Sequence, residues 1–201
     1  LVFFDYSPYG APYLQYGVVS ARGELVHHTV IDVPGPRLFH DIAITENFSV
    51  VFDFPMLWDP EKIAQGKRRV RFDRARPSRF GVLPRHGEGT EVRWFEADPC
   101  YMYHAVNAFE RINARGEREV VVIGCRIDDP MPTCDHQTEP EIPRLYFLRM
   151  DPYPWEWTLN LDTGAVTQRQ LDDRRSEFPR MNDAFLGEQA RYAYHQSLAK
   201  E

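Results

Sequence analysis

Cysteine is scarce in this 201-residue chain: Cys100, Cys125 and Cys134 form neither an even set nor a CxxC pair. That argues against a disulfide framework and for a reducing compartment, with the cytoplasm as the expected location. No run of about 18 apolar residues occurs, so no transmembrane helix is expected. The opening LVFFDYSPYG lacks the basic start and small-residue cleavage site of a signal peptide. Positive charge is also in short supply: a net charge of −6 and a pI near 5.7 give no footing for a nucleic-acid partner held through phosphates. The local basic segment from Lys67 to Arg79 is interrupted by Phe72, Asp73 and Pro77 and reads as a solvated loop or strand face. Helical periodicity is nearly missing. Only AFLGEQARYAYHQSLAKE hints at it, and its aromatic spacing fits a strand as well.

What the chain does have is short β-rich runs separated by turn signals. LVFFDYS, YLQYGVVS, ELVHHTVIDV, FSVVFDF, RRVRFDR, EVRWFEA, YMYHAVNAFE, EVVVIGCRI, RLYFLRM, WEWTLNL and AVTQRQL carry β-branched or aromatic residues, many at alternate positions. ARGE, RHGEG, a second ARGE and DTGA lie between them as turns. Such spacing predicts an all-β chain: a sandwich, a barrel or a propeller. At about 40–50 residues per four-stranded blade, about eleven or twelve strands amount to three or four propeller blades. No WD or kelch repeat selects the propeller, and sixteen prolines fit long decorated loops without identifying the fold.

Seven histidines are available for chemistry. His27 and His28 are adjacent in a predicted strand and point to opposite faces, so they cannot share a small site. His86 lies in a turn, His136 in a polar loop beside Cys134 and Asp135, and His195 in RYAYHQS has no clear assignment. His40 and His104 differ, because each stands at one end of an apolar β-run with acids or amides close by: Asp41 and Glu46, or Asn107 and Glu110. Strand ends that converge on one axis can assemble metal ligands, although two imidazoles alone make a weak site.

LFHDIAIT, YMYHAVNAFE, VIGCRIDDP, SEFPRMN and GEQARYAY, in that order, resemble the carotenoid cleavage oxygenase family, which includes the lignostilbene dioxygenases and the retinal pigment epithelium isomerase. The resemblance runs from LVFFDYS to RYAYHQ. It implies part of a seven-bladed β-propeller with a mononuclear non-haem Fe(II) on its axis, held by four histidines whose rings are oriented by three glutamates. His40 matches the second of those histidines, His104 the third, and Glu177 one of the glutamates. The family's first histidine, in an AHPK-like motif, and its fourth, in an HGF-like motif, have no counterpart here. Residues 1–201 are therefore expected to be one internal fragment of the propeller, without its N-terminal and C-terminal blades, inactive in isolation.

The implied activity is cleavage of a C=C bond by O₂ into two carbonyl products, on an apolar conjugated small molecule. The substrate is a carotenoid or apocarotenoid, with a phenolic stilbene from lignin as the alternative. A non-catalytic propeller scaffold and a propeller glycoside hydrolase with paired carboxylates are the other classes. No acidic pair stands out for the last. Apolar substrates partition into bilayers, which leaves room for peripheral membrane contact. Phe39 and Tyr103, each next to a proposed ligand, are candidate tunnel residues or else sheet core. Trp94, Phe95, Trp155 and Trp157 are read as blade packing, and Asp41 and Glu110 as loop-orienting, surface or turn residues.

Overall fold

The structure of the protein, a computed structural model, describes residues 1–66, 70–131 and 151–198. Its strands pair antiparallel, mostly with their sequence neighbours as in a meander of short turns, with Phe48–Asp53 and Ser78–Pro84 the exception. β1 (Val2–Tyr6), β2 (Leu14–Val19) and β3 (Leu25–Val30) form a three-stranded sheet. β4 (Ile42–Ile44) and β5 (Phe48–Asp53) begin a second. The chain leaves it through β6 (Met56–Trp58), the short helix α1 (Pro60–Ala64) and β7 (Val70–Phe72). It returns as β8 (Ser78–Pro84) and β9 (Arg93–Ala97), which complete a four-stranded sheet ordered β4-β5-β8-β9. A second four-stranded sheet follows: β10 (Tyr101–Ile112), β11 (Arg118–Ile127), β12 (Tyr153–Asn160) and β13 (Val166–Gln170). Finally β14 (Ser176–Arg180) pairs with β15 (Tyr194–Ser197).

Two four-stranded blades flanked by a three-stranded and a two-stranded sheet agree with the expected three to four blades. The run RLYFLRM lies outside the described residues, as do His136 and Lys67 to Arg69. Strands β4 and β6 are too short to show alternation, Pro179 obscures β14, and β15 is the strand inside the segment that hinted at a helix. Helix α1 carried an unread start signal. Pro60 stands in its first turn and the Asp59 carboxylate accepts the Lys62 N–H at 3.2 Å.

Continuous apolar runs in β5, β8 and β11 follow from burial on both faces. In β5, Val50 and Phe52 enter a core shared with Phe80, Phe95, Tyr101, Met102, Val120, Val122 and Trp157, while the intervening Val51 enters a second core with Leu14, Tyr16, Ile31, Phe39 and Leu83. The β4-β5-β8-β9 sheet is thus packed between the sheets that precede and follow it in the chain. Trp157 and Phe95 are core residues. Trp94 and Trp155 are half-buried and pack against the smaller and the larger core, beneath the guanidinium groups of Arg79 and Arg126, 4.4 and 4.1 Å from the ring centres.

Arg79 corrects the solvated reading of the basic segment. Its guanidinium bonds the buried Asp53 carboxylate, Nε to Oδ2 at 2.8 Å, and Arg37 Nε meets Oδ1 of the same group at 2.8 Å. Asp53 is 3% exposed and Arg37 6%, so one carboxylate compensates two guanidinium groups largely removed from water. Removing one partner of such a cluster strands the remaining charge. Asp53→Ala is expected to lower unfolding free energy by about 3–5 kcal/mol, measured by chemical denaturation, with Asp53→Asn intermediate.

Candidate metal centre

β10 is the first strand of its blade, and among the described residues β11 is its one sheet partner. Along its other edge lies the segment 38–41, which leads into β4. The Tyr101 hydroxyl donates to the Leu38 carbonyl at 3.0 Å, His40 Nδ1 donates to the Tyr103 carbonyl at 2.9 Å, and the Ala105 N–H donates to Asp41 Oδ2 at 2.8 Å. Alternate β10 residues therefore dock that segment, as period-2 geometry requires of one strand edge.

This docking brings His40 to His104. Their ring centroids are 5.1 Å apart with planes at 84°. His104 Nδ1 donates to Oε2 of Glu177 at 2.7 Å, and Glu177, in β14, is fully buried. The same oxygen accepts the Phe178 N–H. That contact is made with Phe178 in the left-handed region, φ 51°, a conformation uncommon for a non-glycine residue. The Phe178 ring lies 5.4 Å from the His104 ring.

Carbonyl and carboxylate oxygens accept but do not donate, so in the neutral imidazole the hydrogen sits on Nδ1 and Nε2 keeps its lone pair. No described residue hydrogen-bonds either Nε2. Two neutral nitrogen donors with their rings fixed by carbonyl and carboxylate acceptors suit a transition metal. Among the described residues, no group of three or more His, Cys, Asp or Glu side chains can hold a metal ion. The pair on its own is thus less than a ligand set.

Other named residues separate by position. Tyr103 is half-buried, edge-on to His40 and to Tyr101 at 4.9 Å each, and its hydroxyl has no partner among the described residues. Burial, with the Glu177 charge adding to it, pushes its phenol up to about 12. Phe39 is 4% exposed in the smaller core, its ring edge-on to Tyr6 at 5.7 Å, the position of sheet core. Asp41 also accepts the Ile42 N–H at 2.8 Å, and burial raises its carboxyl against these backbone hydrogen bonds. Glu110 fastens the far end of β10 to the turn after β4, accepting from Thr45 Oγ1 at 2.6 Å and the Asn47 N–H at 2.7 Å. His27 and His28 leave their strand on opposite sides. His27 reaches the Gly87 carbonyl at 3.0 Å, and His28 is exposed. The contacts of Asp41 and Tyr101 had no sequence signal, since both join residues more than 60 positions apart.

The family model described as retinal pigment epithelial membrane protein matches residues 1–201. The chain belongs to the carotenoid cleavage oxygenase family. Within that family, it is 33% identical over 200 residues to carotenoid 9,10(9′,10′)-cleavage dioxygenase 1 of Pisum sativum, covering 97% of this chain and 35% of that protein. A carotenoid cleavage oxygenase of Mycobacterium tuberculosis is 30% identical over 225 residues, covering 90% of this chain and 42% of its own length. Among solved structures, the lignostilbene dioxygenase of Pseudomonas brassicacearum superposes with a TM-score of 0.76 at 26% identity, over 98% of this chain and 41% of that one. The chain thus spans less than half the length of these carotenoid-oxygenase relatives. The family's structures are seven-bladed β-propellers, and the sheets described above are part of one.

Behind the histidine pair, Cys125 Sγ and Ser176 Oγ lie 3.8 and 3.5 Å from His195 Nδ1. Burial lowers the His195 imidazole below its ordinary value of 6.5, with the charges of Glu177 and Asp172 opposing. The unfolded chain therefore binds this proton more tightly, so stability is full above about pH 6.5 and declines as pH falls through that value. His195→Gln is expected to flatten that part of the decline, read from denaturation midpoints at about pH 7.5 and about pH 5.5. Burial also pushes the Cys100 thiol up to about 11 and the Cys125 thiol up to about 12. Both should resist iodoacetamide in the native protein at about pH 8 and react after denaturation, as located by peptide mass spectrometry.

Proposed function

We propose that this chain is part of an oxygenase that uses O₂ to cleave a C=C bond in an apolar conjugated substrate. One oxygen atom goes to each carbon as the double bond breaks, so an alkene and O₂ give two carbonyl products and no further reductant is needed. The observation that carries the reading is the His40–His104 pair: two imidazoles in contact, each held by its Nδ1 hydrogen, each with Nε2 left to donate. We infer that the bound metal is Fe(II) and that this pair supplies two of four histidine nitrogens. The other two come from parts of the propeller beyond residues 1–201, consistent with the 35% of the Pisum sativum protein that the chain spans.

Ferrous iron, when bound, supplies the one-electron chemistry that lets triplet O₂ react with an alkene. The chain's own residues prepare that site. Glu177 accepts from His104 Nδ1, which fixes the tautomer and places a negative charge behind a cationic centre. The Tyr103 carbonyl does the first of these for His40. Around them, Tyr103 and Phe178 present aromatic surface beside the His40 and His104 rings, suited to a conjugated apolar ligand.

A carotenoid or apocarotenoid is the favoured substrate, on the strength of the carotenoid-cleaving relatives. A phenolic stilbene is the second reading, favoured by the likeness to lignostilbene dioxygenase. Incubating the full-length protein separately with an apocarotenal and a hydroxystilbene, under ¹⁸O₂, should yield labelled aldehydes from one of them. Iron analysis should find stoichiometric metal, with loss of about tenfold or more in metal affinity in His104→Ala. A full-length protein without iron would overturn the oxygenase reading in favour of a scaffold.

A further inference from the structure

Asp41 occupies a position that neither a surface nor a turn role explains. Its two carboxylate oxygens are divided between two strands: Oδ1 accepts the Ile42 N–H at the start of β4, and Oδ2 accepts the Ala105 N–H in β10, both at 2.8 Å. Ile42 lies two residues after His40, and Ala105 immediately follows His104. The carboxylate thus joins the backbones that carry the two imidazoles.

β10 needs such a tie at this point. Its register with β11 shifts between Met102 and Ala105 and again between Ala105 and Asn107, so the stretch bearing His104 is irregular. Gly124, opposite Ala105, leaves room there for the Met102 side chain, whose sulfur a Cβ would overlap. A bulged strand is not held in place by its ladder alone. On either side of His104, the Tyr103 carbonyl and the Ala105 N–H are instead tied to His40 and Asp41.

We propose that Asp41 is a positioning residue of the metal centre. By clamping the β10 bulge to the start of β4, it fixes the spacing and tilt of His40 and His104 before any metal binds. This rests on the reading of those two histidines as ligands. Glu110 provides the comparison, because its carboxylate joins the same two blades through Thr45 and Asn47, away from the histidines.

The test uses the full-length protein carrying Asp41→Ala, Asp41→Asn or Glu110→Gln. Each is titrated with Co(II), followed through its visible ligand-field bands, and its thermal midpoint is measured. Asp41→Asn keeps the side-chain shape and one acceptor but cannot accept on the amide nitrogen, so it stays informative if the alanine variant fails to fold. The expected result is a loss of about tenfold or more in Co(II) affinity for both Asp41 variants, with displaced bands. Glu110→Gln should lower the thermal midpoint while leaving affinity within about twofold and the bands unmoved. Wild-type affinity and spectrum in Asp41→Asn would overturn the proposal, as would equal weakening by Glu110→Gln, which signifies general loosening of the blades. Failure of the unsubstituted protein to bind Co(II) or Fe(II) would instead overturn the metal reading beneath it.

Discussion

The free edge of β10 is the constraint around which the rest is arranged. A first strand bonded to its blade on one side has backbone groups on the other that must find partners when buried. Here the partners are not another strand's ladder but two side chains of the segment 38–41: the His40 ring donates to the Tyr103 carbonyl and the Asp41 carboxylate accepts the Ala105 N–H, while the Tyr101 hydroxyl donates to the Leu38 carbonyl beside them. Satisfying the edge in this way places one imidazole against another. The geometry of the candidate centre is thus a consequence of how two blades meet, and the larger core, which contains residues of both, packs them against each other.

Electrostatics reinforces the same junction from the opposite side. Glu177 is fully buried, and a carboxylate taken out of water is costly unless hydrogen bonds and charge compensate it. The His104 ring and the Phe178 amide both bond its Oε2. Phe178 reaches that oxygen from a left-handed backbone conformation, an outlier located at the candidate centre, where local strain tends to be retained. Burial at this junction, with the Glu177 charge adding to it, raises the Tyr103 phenol and the Cys125 thiol. A cation bound at the proposed centre would gain more there from one fixed carboxylate than it would in water.

Much of the fold was legible because strands announce themselves locally. Alternation and turn residues located ten of the described strands, and the unbroken apolar runs of β5 and β11 became intelligible once both their faces proved to be buried. What stayed hidden was short, as with β4 and β6, interrupted by glycine or proline, as with β8 and β14, or dependent on a distant partner. Arg79 read as surface because nothing nearby reveals that Asp53, 26 residues away, waits for it in the interior. Phe39 stands next to His40 and yet its ring enters the smaller core, while His40 is exposed. Residue types alone could nominate His40 and His104 as strand-end histidines; pairing them with Glu177 came from the family resemblance. Asp41 was left open between several roles, since its bond to Ala105 spans 64 positions.

The division of labour between His40 and His104 follows from these contacts. His104 sits within a strand but at an irregularity, so its ring is aimed by a buried carboxylate from the next blade, β14. His40 precedes its strand, so its ring is aimed by a backbone carbonyl of β10. Each histidine is therefore oriented by a group from a different sheet than its own, and each contact spans a junction between consecutive sheets. A histidine pair held in this way tolerates change within a blade's outer strands, because β9 and β13 contribute no group to the contacts that hold it. It does not tolerate a shift of one blade against the next. Precision at the axis is maintained by inter-blade packing, which is why a centre of so few side chains draws on a large, mostly apolar fold.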